Sequence, residues 1–177
     1  MAFTFNKQHA EEIAAPPELL YEILTDYDSY AEWMPLIGKG HLMAREGDLA
    51  IAEFDLTSPQ GAHVTVECIH TRNRMVMTRP IAGAAPFTRM QWDIEAAGGG
   101  KSHVTLSLRC TANIRWLTGA YANLPKLALR SLAAHVSAFA AEISIGGPDG
   151  EKLLELMETD EGLICWLNGK KYVMKEA

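Results

Sequence analysis

The chain has 177 residues, 48% apolar and 21% charged, with a formal net charge of −6, the balance of an ordinary globular protein with room for one core and a short appendage. That charge disfavours nucleic acid and anionic membrane surfaces as partners, because both are held by clustered Lys and Arg. Cys68, Cys110 and Cys165 are too scattered for a Cys-x-x-Cys pair or a zinc spacing, and neither a secretory leader nor an apolar run of about eighteen residues is visible, so the expectation is a cytoplasmic protein with reduced thiols, no metal and no stable membrane insertion.

In chain order, Phe3 to Ala14 reads as extended. Pro16-Pro17 followed by Leu20, Ile23 and Leu24 predicts a short amphipathic helix with prolines at its start. Asp26 to Tyr30 breaks it, Ser29 can cap a second brief helix through Glu32-Trp33, and Pro35 stops that one. From Ile37 to Ala112 alternation takes over, with turn residues at 47–48, 58–61, 72–74, 80–86 and 98–100, which predicts an antiparallel meander of about six strands. One face gathers Ala50, Ala52, Phe54 and Leu56 with Val64, Val66 and Cys68, then Met90, Trp92 and Ile94, then Val104, Leu106, Leu108 and Cys110. The opposite face gathers Glu53, Asp55, Glu67, Arg89, Asp93, Glu95, Ser107 and Arg109. The sheet is therefore expected to be dry on one side only.

A long helix is predicted from about Asn123 to Ile145, with Asn123 as its cap, Pro125 in its first turn and Gly146-Gly147-Pro148 as its stop. Its stripe of Leu124, Ala128, Leu132, Val136, Phe139 and Ile143 is expected to cross the dry face. Beyond it, Lys152 to Met157 reads as a helical turn or two, and Asn168-Gly169 joins two apolar runs, a strong hairpin signal. A two-residue turn there sets Leu163 opposite Met174, Ile164 opposite Val173, Cys165 opposite Tyr172, Trp166 opposite Lys171 and Leu167 opposite Lys170. That register makes both faces of the hairpin apolar and predicts a homodimer through it, against the alternative of a flap docked on its own domain. The expected division is a domain over 1–147 and an extension of short helix plus hairpin over 148–177.

The segment Ala15 to Pro35, with its Asp26-Tyr27-x-x-Tyr30-x-x-Trp33-x-Pro35 spacing, resembles the opening motif of the START-like (SRPBCC, Bet v 1-like) superfamily. Within it the segment is most similar to the bacterial polyketide cyclase/dehydrase and lipid transport group that includes coenzyme Q-binding proteins. The resemblance in order covers roughly residues 3 to 145. It implies an α+β helix-grip fold, an antiparallel sheet of six to seven strands wrapped around the long helix. It further implies an apolar cavity that holds sterols, quinones, polyketides or other lipophiles, and it supplies no catalytic signature.

Several groups invite a chemical role. Asp26 and Asp28 form a carboxylate pair, yet their place between two short helices suits capping and turning. Trp33 reads as a packing anchor. His70 shares the dry face and His135 lies near the helix stripe, where two imidazoles can orient a carbonyl ligand; His41, His63 and His103 are too scattered for a metal. Gly98-Gly99-Gly100 lies between strands and reads as a hairpin turn rather than a phosphate loop. Cys68 and Cys110 read as inert core thiols.

Small residues, Ala50, Ala52, Ala128, Ala133, Ala134, Ala138 and Ser131, stand where a filled core wants large ones. The space they leave is expected to be walled by Phe54, Met75 or Met77, Met90, Trp92 and Phe139. The expected ligand-binding residues are Phe54, Val66, His70, Met90, Trp92, Leu108, Ser131, His135 and Phe139, with Pro80 to Pro86 as a mobile lid. The leading reading is binding of a lipid, quinone or polyketide-like molecule as carrier, sensor or chaperone, with no cofactor. An aromatase/cyclase or dehydratase using His70, His135, Trp92 and Tyr121 is the runner-up, and a protein- or ribosome-interaction module the third reading.

Overall fold

A computed structural model describes residues 3–57, 61–85, 87–112, 121–143, 145–146, 152–159, 162–167 and 170–174, with side chains over 4–57, 61–85, 87–110 and 121–138. The chain forms two compact units, Met1–Ala134 and His135–Ala177.

In the first unit, β1 (Phe3–Ile13) leads into α1 (Pro17–Thr25), a 3-10 turn (Tyr27–Ser29) and α2 (Tyr30–Trp33). Pro17 opens α1 where a missing N–H costs nothing, and the helix buries Leu20, Tyr21 and Leu24 at helical spacing. Ser29 does not cap α2 as expected, because its hydroxyl donates to Asp26 Oδ2 at 2.7 Å. Asp28 accepts the Leu42 N–H at 3.2 Å and bonds His41 Nδ1 at 2.9 Å. Both carboxylates thus tie the turn, which is the structural role anticipated for them.

The meander follows as β2 (Ile37–Glu46), β3 (Leu49–Leu56), β4 (Ala62–Thr71), β5 (Met75–Gly83), β6 (Phe87–Gly98) and β7 (Lys101–Ala112). With β1 returning beside β7 they make a seven-stranded antiparallel sheet in the order β1-β7-β6-β5-β4-β3-β2. At the β6–β7 turn, Gly99 and Gly100 have φ of 60° and 73°, which suits the right-handed twist of a hairpin and which only glycine adopts without strain. Alternation divides the faces as expected. Ala50, Ala52, Phe54, Val64, Val66, Cys68, Met90, Trp92, Ile94, Val104, Leu106, Leu108 and Cys110 are buried, while Arg89, Glu95 and Arg109 on the other face are exposed.

Three expectations for this unit are corrected. Met75 and Met77 face outward and Val76 and Thr78 inward, because Val76 pairs with His70 and antiparallel partners share a face. Pro80 to Gly83 is not a lid but the end of β5, paired to β4 through a bulge at Ile81; Pro86 lies outside the described residues. Bulges are where a strand admits proline.

Helix α3 (Leu124–Ile143) begins one residue after Asn123, whose carbonyl accepts the Leu127 N–H at 3.1 Å. Leu124, Ala128, Leu129 and Leu132 are buried in the same unit as the sheet. The third correction is here: Ala134 and Ala138 are exposed and Ser131 and Ala133 half-buried, so among the helix's described small side chains only Ala128 is fully buried.

The second unit carries a four-stranded sheet in the order β11-β10-β9-β8, comprising β8 (Ile145–Gly146), β9 (Lys152–Thr159), β10 (Gly162–Leu167) and β11 (Lys170–Met174). The hairpin register agrees pair for pair with the sequence reading, from Leu163 opposite Met174 to Leu167 opposite Lys170. Asn168 and Gly169 themselves lie outside the described residues. Lys152 to Thr159 is a strand, not the expected helical turn. Its pairing with β10 supplies hydrogen bonds along its length, and tertiary pairing overrides a weak local preference.

Candidate functional site

The inner face is built in rows set by register. His70, Val76, Trp92 and Leu106 lie opposite one another across β4 to β7, and Cys68, Thr78, Met90 and Leu108 form the next row. With strands about 4.8 Å apart, His70 and Trp92 stand about 10 Å apart on one wall. The opening motif closes over this wall. Tyr30 stacks on Phe54 at 5.4 Å, Trp33 meets Trp92 edge-on at 5.9 Å, and Tyr27 contacts Phe54 at 6.2 Å. A Cβ on Gly40 would overlap the Tyr27 carbonyl oxygen, so β2 needs a glycine there to let Tyr27 approach.

A polar thread runs through these apolar rows. The Tyr27 hydroxyl and His70 Nε2 are 2.5 Å apart and buried, and Cys68 Sγ lies 3.7 Å from Thr78 Oγ1 and bonds Tyr27. Burial pulls His70 down to about 4, helped by the charge of Arg45. Burial likewise pushes the Tyr27 phenol far above its usual range and raises the Cys68 thiol. At neutral pH all three are uncharged, which is the state an apolar wall tolerates.

Among the described residues two polar atoms in this wall have no hydrogen-bond partner, His70 Nδ1 and Trp92 Nε1, although the residues are only 3% and 0% exposed. The indole N–H is an unspent donor. Nδ1 is an unspent donor when it carries the imidazole proton and an unspent acceptor when it does not. Each costs about 1–3 kcal/mol when left unpaired, and a guest carbonyl or hydroxyl at the wall would relieve that cost.

The structure gathers Phe54, Val66, His70, Met90, Trp92 and Leu108 on one buried face. Ser131 and His135 are half-buried, His135 belonging to the second unit, and the Phe139 side chain lies outside the described residues. Tyr121 is buried beside Cys110, whose thiol burial pushes up to about 12. Sequence reasoning missed Tyr27 and Thr78. Tyr27 stands in the opening motif, forty-three residues from His70, and nothing local sets the two together. Thr78 alternates with Met75 and Met77, so expecting either methionine in the wall points Thr78 outward. Among the described residues no group of three or more His, Cys, Asp or Glu could hold a metal, and no helix is long and apolar enough to cross a membrane.

Solved structures share this architecture. A START superfamily protein of Mycobacterium smegmatis, 19% identical, aligns with a TM-score of 0.61 over 77% of this chain and 97% of its own. A STAR-related lipid transfer protein of Xanthomonas axonopodis, 14% identical, aligns at 0.60 over 75% and 85%, and an aromatase/cyclase of Streptomyces sp. R1128, 18% identical, at 0.55 over 78% and 88%. At such identities the likeness establishes the helix-grip fold and nothing finer. No curated protein matches the sequence. The model of a family described as polyketide cyclase/dehydrase and lipid transport matches residues 5–142, and the chain, whose opening motif, meander and all but the last residue of the long helix fall within that span, belongs to this family.

Proposed function

We propose that the chain binds a small hydrophobic molecule between the inner sheet face and the helices that cover it, as carrier, sensor or chaperone. What carries the reading is the pair of unpartnered atoms, His70 Nδ1 and Trp92 Nε1, in one row of an otherwise apolar wall. An apolar site with a few placed polar groups is what a lipophile with one or two oxygens requires, such as a quinone, polyketide or lipid. Family membership supports the hydrophobic class of ligand. In this proposal Phe54, Val66, Met90 and Leu108 supply area, at about 25 cal/mol per Å² before ordering costs. His70 and Trp92 orient the guest, and Ser131 of α3 adds a hydroxyl to the same unit. The ligand-binding domain spans 1–147 and the extension 148–177, the protein works in the cytoplasm, and the extension's hairpin joins two copies. Light scattering on the full chain and on a version ending at Gly147 tests that last point, since a monomer in both removes it.

The family's enzymatic members make an aromatase/cyclase or dehydratase the competing reading, and Tyr27 with His70 is its best acid–base pair. A histidine held at about 4 is a poor base at neutral pH, which favours binding over catalysis. Native mass spectrometry of the purified protein should find a lipophile released by organic solvent. Ala52, 0% exposed on the inner face, gives the matching variant: Ala52→Trp should abolish uptake of an apolar fluorescent probe with the circular dichroism unchanged. Unchanged uptake by a folded variant rejects the site.

A further inference from the structure

The outward face of the same sheet holds a second feature. Across β1, β7 and β6, the side chains of Asn6, Gln8, Ser107, Arg109, Gln91 and Arg89 line a concavity of about 540 Å³. Asn6 lies opposite Arg109 and Gln8 opposite Ser107; on the other side Arg109 faces Arg89 and Ser107 faces Gln91. The six therefore form two adjacent rows, one of amide and two guanidinium groups, the other of two amides and a hydroxyl.

Arg89 facing Arg109 is the anomaly. Like charges directly opposed across an antiparallel pair repel, yet the two arginines end an unbroken register that runs back to Ala96 opposite Ser102, and a bulge follows directly beyond them. Phe87 pairs with Cys110 and Arg89 with Arg109, so Thr88 is the extra residue, and its hydroxyl donates to the Arg109 carbonyl at 3.3 Å. Bulges re-aim side chains and recur beside functional sites. Among the described residues no carboxylate is in ion-pair contact with either guanidinium, whereas Arg79 has Glu67 and Lys101 has Glu12. Arg89 bonds the neutral Gln91 amide oxygen. Asp93, the next outward residue of β6, is engaged by Gln91 Nε2 at 2.7 Å. Two arginines are thus held together without a counter-ion in a chain of net charge −6.

We infer that this concavity binds a small organic anion, a carboxylate or phosphate ester, with Arg89 and Arg109 gripping the oxyanion and Asn6, Gln8 and Ser107 bonding the remainder of the molecule. Guanidinium forks match both oxyanions in geometry, and the volume suits a small molecule. A nucleic acid is disfavoured because Glu53, Asp55, Glu67 and Asp93 occupy the rest of this face. The inference does not depend on the interior site.

The test titrates the full chain with citrate and, separately, inorganic phosphate, at ionic strength held constant with chloride, following the arginine Nε–H resonances. Saturable shifts of Arg89 and Arg109 are expected. Arg89→Gln and Arg109→Gln should each weaken binding about tenfold, the scale of a lost charge-assisted hydrogen bond, and Arg74→Gln, on the β4–β5 turn, should not. Linear shifts of equal size in wild type and Arg109→Gln would overturn the inference. So would binding of a decaglutamate peptide or a DNA duplex without citrate or phosphate, which would reassign the surface to a macromolecule.

Discussion

His63 and His70 occupy the same strand, seven residues apart, and an odd separation sends them to opposite faces. His63 lies half-exposed between Asp55 at 2.8 Å and Glu53 at 3.5 Å, and the Asp55 hydrogen bond raises its pKa. His70 is buried against Tyr27 and its pKa falls to about 4. One residue type on one strand thus becomes a proton holder outside and a neutral polar group inside. The difference generalises: the inner face stores its energy in packed area and desolvation, the outer face in charge pairs that water and salt weaken.

The largest contrast between the faces comes from their neighbours on β6. Trp92→Ala should destabilise by about 3–5 kcal/mol through the cavity it leaves, while Gln91→Ala should stay within about 0.5 kcal/mol. Urea unfolding reads both, and similar midpoints would break the comparison. Next is Gly40→Ala, expected to cost about 1–3 kcal/mol because its Cβ overlaps the Tyr27 carbonyl. Gly38→Ala meets Thr57 Cγ2 at 3.1 Å and Asp55 O at 3.6 Å, and should cost less in the same assay.

The histidines give the sharpest test because their signs oppose. The folded pKa of His70 lies below its unfolded value of about 6.5. Between the two only the unfolded chain holds the proton, so the His70 contribution is complete above pH 6.5 and is lost as pH falls toward 4, by at most about 1.4 kcal/mol per pH unit. For His63 the folded pKa lies above the unfolded one, so its contribution is complete at lower pH and is lost as pH rises through the folded pKa. Urea midpoints from pH 4 to 8 for wild type, His70→Gln and His63→Gln should show differences of opposite slope. Added salt should flatten only the His63 difference; parallel slopes would refute the assignment. The smallest effect is expected at Ile81, 54% exposed at the β5 bulge, where Ile81→Ser should stay within about 0.5 kcal/mol.

Much of this was legible in the sequence, and the reason is locality. Alternation along β3, β4, β6 and β7, the prolines opening α1, the start of α3 and the hairpin register through Asn168-Gly169 all depend on residues within a few positions of each other. The opening motif placed the family for the same reason. Tertiary structure decided the rest. The phase of β5, which turns Val76 and Thr78 inward instead of Met75 and Met77, is set by pairing with β4 after a turn whose Asn73 has φ 57°. The bulge at Ile81 made a strand of the expected lid, and pairing with β10 made a strand of the expected helical turn at 152–157. Tyr27 meets His70 across forty-three residues of chain, and Arg89 meets Arg109 because the β6–β7 register is shifted between Ala96 and Gly98 and then runs unbroken to that pair. Periodicity in sequence sets which residues share a face; which face it is, and what lies opposite, depends on hydrogen-bond register between distant strands, where one extra residue reverses every side chain that follows.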